Sequence, residues 1–196
     1  ATMSPKQRIV LAVLVANAPT VVSADALIDA VWPDEPPLTA RTTLRAYVSR
    51  LRRALGQRIV TEGDGYRIAV EPDEVDAARF ESLVDRASST DPEHAAALLG
   101  EALGLWRGRA FGDLSDLDAL RSHARRLDLR RSDAREMLAT ALLDAGRSAE
   151  ASAVAQALCD EEPYREGAWA TVVRSLAADG RRTEALRAYQ RAAATL

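Results

Sequence analysis

Apolar residues recur at three- and four-residue intervals through most of this chain, and the stretches that break the rhythm carry glycine, proline or a two-residue alternation. Ser4-Pro5 supplies a cap and a first-turn proline for a helix whose apolar set is Ile9, Val10, Val13 and Leu14, ending near Asn17-Ala18-Pro19. Val21-Val22 reads as a short extended link. Ser23 then caps a second helix, Ala24 to Val31, which Trp32 and the run Pro33-Asp34-Glu35-Pro36-Pro37 stop. A third helix covers Leu38 to Leu55 and closes on Gly56. At about 100° per residue with Leu44 as origin, Val48, Leu51 and Leu55 lie within about 40°, a narrow seam for a core.

Beyond Gly56 the period shortens to two. Arg58 to Thr61, a turn at Glu62-Gly63-Asp64-Gly65, and Tyr66 to Val70 predict a β-hairpin whose glycines suit positive φ. Three helices followed by a hairpin is the order of a winged helix-turn-helix, in which the last helix enters the major groove and the hairpin lies beside it. Glu71-Pro72-Asp73 marks a boundary, giving a DNA-binding domain over residues 1–71 and a second domain over 72–196. The second shows no strand signal. Its helices are predicted at Asp76 to Ala87, Pro92 to Trp106, Leu117 to Ala145, Ala149 to Glu161, Tyr164 to Asp179 and Thr183 to Leu196. Ala145-Gly146-Arg147-Ser148-Ala149-Glu150-Ala151 is echoed by Asp179-Gly180-Arg181-Arg182-Thr183-Glu184-Ala185, displaced by 34 residues, the period of tetratricopeptide-type helix pairs. The expected fold class is mainly α: a winged helix-turn-helix with a small hairpin wing, followed by an all-helical, tetratricopeptide-like domain.

Charge sharpens this picture. Residues 1–70 hold nine basic and six acidic side chains, a net +3 that leaves −6 for the remainder of a chain of net charge −3. Five of the arginines, and no acid, fall in the third helix. On the face opposite its seam stand Thr42, Arg45, Ala46, Ser49, Arg50 and Arg53, a set of guanidinium forks, hydroxyls and one small gap suited to a DNA groove. Arg41 and Arg52 lie nearer the seam, where they would hold phosphates or pack their stems rather than read bases, and Arg50, at the flank of the reading set, would join them in phosphate contacts that set register.

The remaining composition narrows the chemistry. With 47% hydrophobic, 28% charged and only 5% aromatic residues the chain suits packed helices. Cys159 is alone and His94 and His123 are far apart, so neither a disulfide nor a metal cluster is expected, and no cofactor. The longest apolar run, Ile9 to Ala16, is too short for a membrane span, and a cytoplasmic location is expected. No nucleophile with a base and no phosphate-cradling glycine loop stands out, and Asp113, Asp116 and Asp118 lack calcium-loop spacing, so no enzyme is expected. Cys159, Trp106, Trp169, Tyr164 and Tyr189 read as packing residues.

Several segments together resemble one family. They are Pro5-Lys6-Gln7-Arg8, Leu27-Ile28-Asp29-Ala30-Val31-Trp32 with Asp34-Glu35-Pro36-Pro37, Leu44 to Leu55, Gly65-Tyr66-Arg67, Asp76-Ala77-Ala78-Arg79-Phe80 and Leu105-Trp106-Arg107-Gly108. The chain resembles the Streptomyces antibiotic regulatory proteins, transcriptional activators that join an OmpR-like winged helix to a bacterial transcriptional activator domain. The resemblance implies binding to promoter direct repeats as a homodimer or higher assembly on double-stranded DNA. It also implies recruitment of RNA polymerase through its sigma or alpha subunit, and control of a biosynthetic gene cluster. Arg67 resembles the wing arginine of OmpR-like proteins, which would enter a minor groove.

The loop from Trp32 to Leu38 reads equally as a polymerase contact through Asp34 and Glu35 or as a proline-stiffened connector. The family's small N-terminal sheet is reduced to at most Ala1 to Met3, and its helical domain commonly runs past the position of Leu196. Starting at Ala1, the chain reads as trimmed or incompletely ordered at its N-terminus. The alternative reading is a helical-repeat adaptor whose winged helix docks protein instead of DNA.

Overall fold

The computed structural model describes residues 3–196; Ala1 and Thr2, part of the expected remnant of an N-terminal sheet, lie outside it. Packing divides the chain into two units: residues up to Val75 together with Gly108–Leu127, and Asp76–Arg107 together with Asp128–Leu196. By packing, residues 108–127 go with the first unit, in whose core Leu120 is fully buried.

In the first unit, helix α1 (Pro5–Ala16) opens on a reciprocal cap. The Ser4 hydroxyl accepts from the Gln7 amide at 3.4 Å and the Gln7 side chain accepts from the Ser4 amide at 2.9 Å. Strand β1 (Val22–Ser23) replaces the expected extended link, since Val22 pairs with Tyr66 and Ser23 with Gly65. Helix α2 (Ala24–Val31) is capped by Ser23, whose hydroxyl accepts from the Ala26 amide at 3.1 Å. Helix α3 (Ala40–Leu55) starts two residues later than predicted: the Ala40 amide bonds the Pro37 carbonyl, leaving Leu38 in a turn and fully exposed. Gly56 ends α3 with φ +67°, a left-handed cap that costs a residue without Cβ little.

Strands β2 (Ile59–Glu62) and β3 (Gly65–Ile68) form the predicted hairpin, completing an antiparallel sheet of order β1-β3-β2. Gly65 is required there, because a Cβ would stand 2.5 Å from the Val22 carbonyl oxygen. Leu44, Val48 and Leu51 of α3 meet Val10, Val13 and Leu14 of α1, Leu27 and Val31 of α2, and Ile59 and Ile68 of the hairpin in one core. Each such side chain contributes on the order of 1.5–3 kcal/mol on burial, which orients α3 firmly.

The second unit contains helices α4 (Asp76–Ala87), α5 (Pro92–Gly104), most of α6 (Asp118–Asp144), α7 (Ser148–Glu161), α8 (Glu166–Ala178) and α9 (Arg182–Thr195). Phe80 packs edge-on against Trp106, centroids 5.3 Å apart, beside Leu83, Leu99 and Leu142. Cys159 is buried among Leu158, Trp169, Val172 and Ala188, and burial pushes its thiol up to about 11. The 34-residue echo survives as hydrogen bonding. Gly146 and Gly180 take φ near +75°, at +78° and +74°, while the Arg147 and Arg181 amides reach back to the carbonyls of Leu142 and Leu176. Arg147 and Arg181 then clamp Glu150 and Glu184 with two bonds each. Tyr164 and Tyr189 depart from the packing role predicted for them, being 78% and 61% exposed.

Candidate nucleic-acid interface

The core seam of α3 turns its opposite face to solvent. Thr42, Arg45, Ala46, Ser49, Arg50 and Arg53 are all exposed there. Among the described residues, the side chains of Arg45, Arg50 and Arg53 form neither an ion pair nor a hydrogen bond within the protein. The three guanidinium groups lie within two and a half helical turns and remain available to a polyanion.

The other arginines predicted for this site have partners in the fold. Arg41 bonds Asp25 at 2.7 Å and Asp64 at 3.1 Å, joining α3 to the start of α2 and to the hairpin turn. The hydrogen bond to Asp64, then the charge of Asp25, raises its pKa. Arg52 is half-buried. Its Nε donates to the Ile59 carbonyl and its Nη2 to the Thr61 hydroxyl, both at 2.7 Å. Arg67, facing Val60 across the hairpin, donates from Nε to Glu62 at 2.8 Å. Thus the two carboxylates of the turn, Glu62 and Asp64, are each paired with an arginine, Arg41 being shared with Asp25.

Sequence reading did not find these pairings, because a helical wheel shows what one helix offers and not what a distant hairpin presents. Asp34 and Glu35 are exposed in the loop between α2 and α3, with no hydrogen-bond or ion-pair partner among the described residues. Behind them Trp32 is half-buried, stacked on Tyr47 at 6.2 Å with the Lys6 ammonium 4.6 Å from its ring centre.

Three helices with a strand between the first two, closed by an antiparallel hairpin, define a winged helix-turn-helix; the second unit adds tandem helix pairs. Residues 1–68 match the family described as transcriptional regulatory protein, C terminal, and residues 75–196 match the bacterial transcriptional activator domain. The chain belongs to the family of regulators that joins these two domains, the Streptomyces antibiotic regulatory proteins.

It is 36% identical to the transcriptional regulatory protein EmbR of Mycobacterium tuberculosis over 98% of this chain and 53% of that protein. It is 35% identical to the regulatory protein AfsR of Streptomyces coelicolor over 96% of this chain and 20% of AfsR. A solved structure, Mycobacterium tuberculosis EmbR in complex with a low-affinity phosphopeptide, superposes with a TM-score of 0.88 at 34% identity, covering 96% of this chain and 53% of that one. The chain therefore spans about half the length of EmbR and a fifth of AfsR.

Proposed function

We propose that this chain is a sequence-specific DNA-binding transcriptional activator that reads direct repeats in promoters and recruits RNA polymerase to a biosynthetic gene cluster. The observation that carries the reading is the solvent face of α3, where Arg45, Arg50 and Arg53 are uncommitted beside Thr42 and Ser49. A guanidinium that grips guanine O6 and N7 discriminates bases by about 1–3 kcal/mol, and the two hydroxyls add shorter-range contacts. Arg67 is assigned to the minor groove beside the wing, exchanging Glu62 for DNA.

Asp34 and Glu35 are the proposed contact for a basic surface of the polymerase, on its sigma or alpha subunit. The helical domain supplies protein contacts, with a cleft of about 650 Å³ whose lining includes Asp133, Glu136, Asp144 and Met137. Assembly on repeats as a homodimer or higher oligomer, and a cytoplasmic location, belong to the same reading, which assigns the chain no catalytic step. The regulatory names of EmbR and AfsR support DNA reading over a protein-docking adaptor.

Selection of bound duplexes from a random-sequence pool tests this directly. The wild-type chain should recover a repeated motif, and Arg45→Ala should lose preference at one position of it, by about 1–3 kcal/mol, without weakening other positions. Recovery of random sequence, or an unchanged motif after substitution of Arg45, Arg50 and Arg53 in turn, would refute it.

A further inference from the structure

The wing of this fold is fastened to α3 by arginines, and what that fastening does rests on the DNA-reading role proposed above. We infer that Arg52 is a positioning residue, which holds the hairpin in the register that presents Arg67, and is not a ligand of the DNA backbone. Alternate carbonyls of an edge strand point away from its neighbour, and β2 is the edge of this sheet. The Ile59 carbonyl takes its bond from Arg52 Nε, and the Thr61 hydroxyl takes one from Arg52 Nη2.

These two grips flank Val60, and Val60 is the residue that faces Arg67 across the ladder. One planar fork therefore fixes the strand on both sides of the position opposite the wing arginine. Arg41 holds the far end of the same hairpin through Asp64. With its Nε and Nη2 already directed at β2 and its stem half-buried, Arg52 is aimed at the hairpin rather than at solvent. Lysine cannot replace it, since an ammonium on a flexible stem does not reproduce two donors at fixed separation.

The test uses the full 196-residue chain and a duplex recovered by the wild type from a random-sequence pool. Affinities of Arg52→Ala, Arg67→Ala and the double variant form a cycle. Positioning predicts that Arg52→Ala weakens binding about tenfold alone, and about twofold or less when Arg67 is already alanine. Arg52→Lys should behave as Arg52→Ala does, and Thr61→Val should show a smaller loss of the same kind.

Amide exchange in the free chain supplies a readout without DNA: Arg52→Ala should speed exchange in β2 and β3 about tenfold while α1 and α2 keep their protection. Additive losses in the cycle, with the salt slope falling by about one for each arginine, would instead make Arg52 a phosphate ligand. Unaltered exchange in the hairpin would also overturn the inference. If the wild type selects no duplex, the DNA-reading proposal fails while the exchange measurement still decides the clamp.

Discussion

Asp64 sets a carboxylate in the hairpin turn beside the start of α3, and its effect on the proposed DNA binding depends on Arg41. The guanidinium of Arg41 directs its donors at Asp25 and Asp64, so the free protein presents one arginine shared between two carboxylates, a net negative cluster at the start of α3. Both partners are well exposed, so the bridge contributes little to stability; its consequence is for affinity. Asp64→Asn removes a negative charge from the wing turn and leaves Arg41 paired with Asp25 alone. Binding to any duplex should tighten, and the slope of log K against log salt should steepen by up to about 0.9, the share of one added phosphate contact. Titrations of one selected and one scrambled duplex at several salt concentrations check this: both should gain alike, leaving the specificity ratio unchanged. A gain confined to the selected duplex would show that Asp64 takes part in base reading.

Helix ends were legible in the sequence wherever chemistry at the end is local. Ser4 and Ser23 cap the helices they were expected to cap, and Gly56, Gly146 and Gly180 stop theirs in the left-handed region. What the sequence concealed is non-local. Two residues, Val22-Ser23, are too few to display an alternation, and β1 exists only because Tyr66 and Gly65 lie beside it. Tyr189 and Leu186 of α9 have helical spacing, yet the helix buries Ala185, Ala188 and Ala192; close approach to its neighbours selects the small residues and turns the large ones outward. For the same reason the wheel could set Arg52 next to the seam without revealing the carbonyl it holds.

The paired repeat turns carry a pH prediction at this scale. Hydrogen bonds from Arg147 and Arg181 hold Glu150 and Glu184 below the usual carboxylate range. A carboxylate depressed on folding stabilises above its unfolded pKa, near 4.3, and loses that contribution as pH falls through the lower folded value. Thermal unfolding of the wild type should therefore drop between about pH 5 and 3 more steeply than that of a Glu150→Gln, Glu184→Gln variant. Identical pH profiles would show that the clamps contribute nothing to the repeat turns.

At the scale of the molecule, the winged unit draws on residues far along the chain. Leu120 is fully buried in the core of Val10, Leu14, Leu27 and Leu44, and Phe111, Leu114, Leu117 and Ala119 pack around it. Arg8 adds a 2.6 Å ion pair to Asp113. Helix α6 thus contributes its residues up to Leu127 to this unit and the rest to the helical-repeat unit. A fragment ending at Val75 would lack Leu120 and leave its place in this core unfilled. Leu120→Ala in the full chain reproduces part of that loss and should cost about 2–5 kcal/mol, the range for deleting a buried leucine side chain. Segment-resolved hydrogen exchange should place the loss in α1, α2 and α3, whereas Leu158→Ala should place its own in α7 and α8, where that side chain is buried. The 3–75 fragment should correspondingly unfold at lower denaturant than the same residues do within the whole chain. Equal midpoints would mean that the first three helices and the hairpin close their core unaided, and that the segment from Gly108 to Leu127 merely rests on it.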